Sequence, residues 1–315
     1  MAVKPIVSVV IPCWNARRWI GRAITSVLNQ QISVEIIVVN DGSTDNSIEV
    51  IDEFRSVRVF TTENRGAVYA RNLGLRCSES RWVLFLDADD YLASDSLKHW
   101  VDAGERTDAD TVIGPFAFES GAVRSLGRRA REPASGVSVL CDWLEGWFTP
   151  PCAIVWKRDF LNSIGAWNPE AQLRGDDAEL VMRAMIMGAK VATVYEGLGI
   201  YVQHDSPDRI SKRTGPEVLS CEFDFTKNLW SLAKRNAMFE AQRSFSHAFY
   251  RLAYQAYALG YNSQGEVALK ISRDLGFRGH IGSTTHKVFA GLLGLRTKMW
   301  CGRCVRGFAS NISEV

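Results

Sequence analysis

A chain of 315 residues can build one large domain, or one domain with an appendage, and its 46% hydrophobic and 23% charged residues match a water-soluble globular protein. The formal net charge of +2 alone excludes nothing, but no basic run resembles a nucleic-acid-binding arm, and no nucleic-acid partner is expected. Seven cysteines (Cys13, Cys77, Cys141, Cys152, Cys221, Cys301 and Cys304), odd in number and scattered, favour a reducing compartment over a disulfide framework.

A strand begins within a few residues of Met1, so no cleavable signal is expected, and no apolar run approaches the roughly 20 residues of a spanning helix. The expectation is a cytoplasmic protein that can still rest on the cytoplasmic face of a membrane. Ile6 to Ile11 reads as a buried strand, which Pro12 should close by removing a ladder donor. Trp19, Ile20, Ala23, Ile24, Val27 and Leu28 recur at helical spacing between Arg17 and Gln30. A second strand, Ile36 to Val39, runs into Asn40-Asp41-Gly42-Ser43-Thr44, where Ser43 or Thr44 can cap a helix carrying Ile48, Ile51 and Phe54. A third strand covers Val57 to Phe60, and Asn64-Arg65-Gly66 leads into a helix with Val68, Leu73 and Leu75. Trp82 to Leu86 is then a strand of five apolar residues, followed at once by Asp87, Asp89 and Asp90. Strands alternating with helices at this spacing mean right-handed crossovers and a parallel α/β sheet covered on both faces.

In the second half, Ser94 can cap a helix carrying Leu97, Trp100 and Val101, and Thr111 to Gly114 reads as a strand. Ser120 to Ser138, with Arg124, Arg128, Arg129 and Arg131, reads as an exposed segment. Trp143 and Trp147 can line a ligand groove or belong to the core, because helix-spaced indoles serve either purpose. Gly175-Asp176-Asp177 opens a helix that stops at Gly188; acids there also suit the helix dipole. Helices follow from about Pro216. Lys287 to Arg306 mixes Val288, Phe289, Leu292, Leu293, Met299 and Trp300 with Lys287, Arg296, Lys298, Arg303 and Arg306. That pattern fits a helix lying on an anionic membrane, or one docked on the protein with a solvated basic face. Cys301-Gly302-Arg303-Cys304 is half a zinc site without a second pair, so zinc is not expected.

Carboxylates gathered past the end of a buried strand lie where open α/β sheets bind ligands, and their repulsion is usually offset by a divalent cation. The ligand is not a dinucleotide of the Rossmann kind, since the first strand-to-helix turn, Pro12-Cys13-Trp14-Asn15-Ala16, has no glycine. A flat base can stack on Trp14, and Asp41 can accept hydrogen bonds from a base or ribose. The alternatives are core packing for Trp14 and a turn role for Asp41. A Walker motif is missing, Tyr91 stands where a haloacid-dehalogenase-type phosphatase has Thr, and a response-regulator receiver would be far shorter.

Val7-Ser8-Val9-Val10-Ile11-Pro12-Cys13-Trp14-Asn15, Val38-Val39-Asn40-Asp41-Gly42-Ser43-Thr44-Asp45, Asn64-Arg65-Gly66 with Ala70-Arg71-Asn72-Leu73-Gly74, and Leu86-Asp87-Ala88-Asp89-Asp90 together resemble family 2 glycosyltransferases of the GT-A fold. The resemblance implies an inverting, metal-dependent hexosyltransferase that uses a nucleotide-sugar donor. By motif, Pro12, Trp14, Asn15, Asp41, Asn64, Gly66, Arg71, Asp87 and Ala88 would bind the donor nucleotide. Asp89 and His204 would hold Mn²⁺ or Mg²⁺, with Asp87 as a further possible ligand; His204 can equally be a diphosphate contact or structural. Asp177 would be the catalytic base, and Asp176, Trp143, Trp147 and Trp156 would meet the acceptor. Lys212 and Arg213 would close over the diphosphate.

Residues 1–214 would form the catalytic domain, with 1–91 as its nucleotide half and 92–214 as its acceptor half, and 215–315 a helical appendage. UDP is the expected nucleotide on family grounds only. The expected acceptor is a saccharide or lipid-linked saccharide in the assembly of a bacterial exopolysaccharide, lipopolysaccharide or capsule. Two departures stand out: Asn40 where many members have Asp, and Ser80-Arg81-Trp82 in place of Gly-Glu-Tyr. The rival readings are a nucleotide-sugar-binding protein without turnover, a carbohydrate-binding module, and a sugar nucleotidyltransferase, whose glycine-rich opening is missing.

Overall fold

The computed structural model describes residues 4–127, 134–204 and 215–301. Strands and helices alternate from the start: β1 (Val7–Cys13), α1 (Ile20–Leu28), β2 (Val34–Asp41), α2 (Ser47–Asp52), β3 (Val57–Thr62), α3 (Ala67–Cys77) and β4 (Trp82–Phe85). With β6 (Thr111–Ile113), β9 (Ile154–Lys157) and β10 (Val191–Thr193) these strands form a seven-stranded sheet in the order β10-β6-β9-β4-β1-β2-β3. Only β9 runs against its neighbours in that sheet.

The apolar runs are continuous because both sheet faces are buried. Val7, Val9, Ile11, Trp82 and Leu84 point to one side and pack with Ile20 and Ile24 of α1 and with Leu97 and Trp100 of α4 (Ser96–Thr107). Val10, Val83 and Phe85 point to the other side and pack with Leu180 and Val181 of α7 (Asp176–Ile186). Helix α3 approaches β1 closely at Gly74, where an added Cβ would stand 2.3 Å from a Val10 methyl. Gly74→Ala should therefore cost about 1–3 kcal/mol through overpacking, although alanine by itself favours a helix by about 1 kcal/mol. Urea unfolding checks this; an unchanged midpoint would mean that α3 slides freely on the sheet.

A second sheet, ordered β5-β11-β7-β8, joins β5 (Tyr91–Leu92), β11 (Gly199–Val202), β7 (Phe116–Ser120) and β8 (Val123–Leu126). The helices α5 (Gly136–Leu144) and α6 (Arg158–Ser163) flank the core, and α8 (Pro216–Arg235), α9 (Gln242–Leu259), α10 (Asn262–Asp274) and α11 (Thr284–Leu293) follow. These last helices share a core with the earlier ones: Leu219, Trp230, Phe245 and Phe249 pack in one cluster with Leu140 of α5 and Met185 of α7.

Several local expectations are corrected. Strand β1 continues through Pro12 to Cys13, because β4 leaves β1 at Phe85, opposite Val10, and a proline is tolerated where one neighbour has gone. The N-terminus of α2 is served by Asp45, which accepts the Ser47 N–H at 3.1 Å, and not by Ser43 or Thr44. Ser94 does not cap α4, which starts at Ser96 after Asp95 in the left-handed region at φ 63°. The segment after Ser120 is exposed as expected along Val123–Leu126, but it carries regular structure: it turns into the β7–β8 hairpin, and α5 begins with a capping box between Ser135 and Ser138. Arg128, Arg129 and Arg131 lie outside the described residues. The last amphipathic stretch is broken at Gly294, φ 77°, so it is not one helix. Among the described residues all cysteines are free thiols, and no helix is long and apolar enough to cross a membrane.

Candidate active site

In the sheet order the chain moves from β1 outward through β2 and β3, then returns to β4 on β1's other side. The crevice at such a switch point, beyond the C-terminal strand ends, is where open α/β sheets bind ligands. A cleft of about 610 Å³ opens there, lined by Trp14 after β1, Asp41 at the end of β2, and Asp87 and Asp89 after β4. Asp176 and Asp177 reach it from the first turn of α7, and His204 from just beyond β11.

At one end Trp14 is 43% exposed, unusual for an indole beside a buried strand, and so is available for stacking. Asp41 is buried and fixed: it accepts the Gly66 N–H at 2.7 Å, the Arg65 N–H at 2.9 Å and the Thr62 hydroxyl at 3.1 Å. Gly42 permits this approach, since at φ 71° a Cβ would lie 2.8 Å from the Asn64 nitrogen. Asn15 also lines the cleft, but its side-chain carbonyl accepts the Thr44 N–H at 2.8 Å, so it pins the two loops together. Pro12, Asn64, Gly66 and Ala88 border the same cleft.

The centre is an ion cluster. Arg71, 5% exposed, donates to Asp87 at 2.6 Å and to Asp176 at 2.5 Å, with its guanidinium 4.5 Å from the Trp167 ring. Burial alone would lower its pKa, but Asp87 and Asp176 outweigh this and hold it above its ordinary value. Next to it, His204 Nε2 lies 2.8 Å from Asp89 Oδ2, and the imidazole stacks on Trp19 at 4.5 Å. Burial and the neighbouring Asp87 push the Asp89 carboxyl up, while His204 opposes them. Asp90 points away: buried, it accepts the Val202 N–H at 2.9 Å and ties the loop after β4 to the second sheet.

A chain match decides what kind of machinery this is. Residues 8–165 match the family model described as Glycosyl transferase family 2. The chain belongs to that family. As a family 2 glycosyltransferase it is 40% identical over 120 residues to an uncharacterized glycosyltransferase of Haemophilus influenzae, across 36% of this chain and 48% of that one. The match thus spans about half the length of that relative. It is 25% identical over 251 residues to the glycosyltransferase GlyG of Streptococcus pneumoniae, covering 71% of this chain and 76% of that protein. It is 39% identical over 101 residues to a putative teichuronic acid biosynthesis glycosyltransferase, TuaG, of Bacillus subtilis, covering 30% and 40%.

Among solved structures, S. aureus TarS 1–349 in complex with UDP-GlcNAc superposes with a TM-score of 0.60 at 13% identity, over 85% of this chain and 91% of that one. GalNAc-T7 with UDP, GalNAc and Mn²⁺ superposes with a TM-score of 0.60 at 17% identity, over 87% and 55%. Identities this low speak for the fold alone, and that fold is GT-A.

In this glycosyltransferase the residue following Asp176 stands out. Asp177 lines the cleft from the first turn of α7; burial and the adjacent Asp176 push its carboxyl up to about 7, against the pull of Arg71. A carboxylate with that pKa is suited to exchanging a proton near neutrality. Cys13 is unsuited to nucleophilic work, since burial pushes its thiol up to about 11. Asp89 and His204 place an oxygen and a nitrogen donor side by side, a set that fits a divalent ion completed by ligand oxygens and water. Among the described residues no three His, Cys, Asp or Glu side chains converge into a closed cage.

The aromatic expectations divide. Trp143 lines the cleft, beside Phe148 at 6.4 Å between rings. Trp147 is 51% exposed and is not among the cleft-lining residues. Trp156 is corrected: on the inner strand β9, paired with Val83 and Thr111, it is 2% exposed and packs in the core, out of reach of an acceptor. Lys212 and Arg213 lie outside the described residues. Sequence reasoning missed Trp19, Phe148, Tyr201, Arg174 and Glu222, all of which line the cleft. Arg174 pairs with Glu222 of α8 at 2.6 Å, so a helix beyond residue 214 contributes to the site. The place of Arg174, directly before Gly175-Asp176-Asp177, was the available signal; Glu222 carried none.

Proposed function

We propose that this glycosyltransferase moves a sugar, with inversion, from a nucleoside diphosphate, UDP in the first instance, to a hydroxyl of a saccharide or lipid-linked saccharide acceptor in cell-surface polysaccharide assembly. The observation that carries the reading is the convergence in one cleft of Trp14 with Asp41, Asp89 with His204, and Asp177. The TarS complex with UDP-GlcNAc and the GalNAc-T7 complex with UDP support the nucleotide, and the likeness to TuaG supports the polymer setting.

In this reading Trp14 stacks on the base, while Asp41, held rigid by three donors, offers its remaining acceptor capacity to base or ribose. Mn²⁺ or Mg²⁺ would be held by Asp89 and His204, with Asp87 as a further ligand, and would supply neutralisation of the diphosphate's charge. Asp177 takes the acceptor proton as the acceptor oxygen bonds to the anomeric carbon. The bond from that carbon to the diphosphate oxygen breaks on the opposite side, and the electron pair leaves with the nucleoside diphosphate. Asp176 and Trp143 position the acceptor. The division of labour proposed is donor binding by residues 1–91 and acceptor binding by 92–214, with residues 215–315 as a helical region.

Thermal unfolding against a panel of nucleotides and nucleotide sugars tests the proposal. UDP and one UDP-sugar should raise the transition by mass action in the presence of Mn²⁺, and EDTA should remove most of the shift. Slow metal-dependent hydrolysis of that donor should accompany binding, separating an enzyme from a silent binder. Indifference of the transition to every nucleotide would overturn the reading.

A further inference from the structure

The C-terminal helices present an apolar face with no described partner, and the sequence around it carries charge of one sign. Helix α11 is seated by His286 and Ala290, which are buried, with the His286 ring 5.3 Å from that of Tyr254 on α9. Past Gly294 the chain is anchored again by Leu295 and Met299, 2% and 3% exposed, and by an ion pair from Arg296 to Glu266 of α10. The orientation of the segment is therefore set by its inner side. What it leaves outside is large and apolar: Leu292 is 77% exposed, Trp300 57%, Val288 53% and Phe289 49%. At 100° per residue, Val288, Phe289 and Leu292 fall on one stripe of α11, opposite the seated side.

From residue 275 to 313 the sequence has six basic residues, Arg278, Lys287, Arg296, Lys298, Arg303 and Arg306, and no Asp or Glu. The whole chain carries only +2. Subtracting the segment's +6 leaves −4 on the remainder, so the asymmetry is concentrated at this end. Among the described residues Arg296 is matched by Glu266 and Lys298 lies over Tyr254, which leaves Arg278 and Lys287 as exposed cations of this end; an excess of one sign disfavours a second copy of the same end and favours an anionic surface.

We propose that this face rests on an anionic lipid bilayer, the stripe of Val288, Phe289 and Leu292 entering the headgroup boundary, Trp300 lying at the interface, and the exposed Arg278 and Lys287 reaching lipid phosphates. Both contributions are needed. Basic residues are drawn to an anionic surface, and large apolar side chains gain by leaving water for the headgroup boundary. Together they give reversible, salt-sensitive attachment, as expected of an in-plane amphipathic helix that does not span. The inference does not rest on the donor or acceptor proposed above.

The test is co-sedimentation of the full chain with vesicles of phosphatidylcholine alone and of phosphatidylcholine with phosphatidylglycerol. Wild type should bind the phosphatidylglycerol vesicles, bind the neutral ones at least about tenfold less well, and detach as salt is raised. Phe289→Ser with Leu292→Ser, and separately Arg278→Glu with Lys287→Glu, should each weaken binding by about tenfold or more. Arg278, Lys287, Phe289 and Leu292 are all exposed, so unfolding temperature and UDP-sugar hydrolysis should be unchanged; that control separates loss of docking from loss of fold. Equal binding to both vesicles, no binding to either, or self-association abolished by the same variants would overturn the proposal.

Discussion

Asp177→Asn should lower sugar transfer by about 10²–10⁴-fold, the usual contribution of a positioned general base, while nucleotide affinity measured by titration stays close to wild type. Asparagine keeps the shape and the hydrogen bond that the Asp177 side chain accepts from the Ala178 N–H at 2.8 Å, but it cannot take a proton. The same residue should set the acidic limb of the pH profile. Its carboxyl, pushed up to about 7 by burial and by Asp176, is protonated below that pH and cannot act as a base there. Activity should therefore rise with pH through about 7 and fall roughly tenfold per unit below it, as reported by kcat/KM for the free enzyme. The profile and the substitution check one another. If Asp177→Asn retains full turnover, Asp177 is not the base; if wild type keeps a flat profile down to pH 5, proton removal does not limit the reaction.

What the sequence made legible, and what it concealed, follows from how far each signal is local. Ile36 to Val39 and Trp82 to Leu86 declare buried parallel strands because burial on both faces erases the alternation of a half-exposed strand. Asp87 and Asp89 declare a site because carboxylates gathered past a buried strand repel one another unless a cation offsets them. Trp156 misleads for the opposite reason: an aromatic residue near loops looks available, and only the pairing of β9 between β4 and β6 shows that it lies inside the sheet. The β7–β8 hairpin was hidden because its outer strand is fully exposed and carries no apolar alternation, so composition alone reads as loop. Glu222 shows the strongest limit. It enters the cleft only because α8 folds back against the loop before α7, with Phe225 against Gly175 and Glu222 on Arg174, a long-range contact with no local mark. That contact also couples the C-terminal helices to the loop that presents Asp177.

Arg71→Met should be the most destabilising single change in the site, costing about 3–5 kcal/mol, the usual result of removing one member of a buried ion pair. The guanidinium is the cation set between Asp87, which follows β4, and Asp176, which opens α7, and its side chain is only 7% exposed. Methionine would fill much of the volume against Trp167 yet leave both carboxylates facing one another without compensation. Arg71→Lys should recover part of the loss, since it restores charge, but not all of it, because one ammonium cannot reproduce the two-pronged contact to two acids. Asp176→Asn placed on Arg71→Met should recover stability as well, by removing one of the stranded charges, and this coupling distinguishes an electrostatic role from simple packing. Urea unfolding of the four proteins measures all three effects. Loss of Arg71 should also raise the Asp177 carboxyl further, since Arg71 opposes the rise, so the acidic limb of any residual activity should move to higher pH. A cost below about 1 kcal/mol for Arg71→Met, with no recovery from Asp176→Asn, would show that the cluster is solvated rather than buried, and that the two halves of the cleft are held together by their hydrophobic contacts alone.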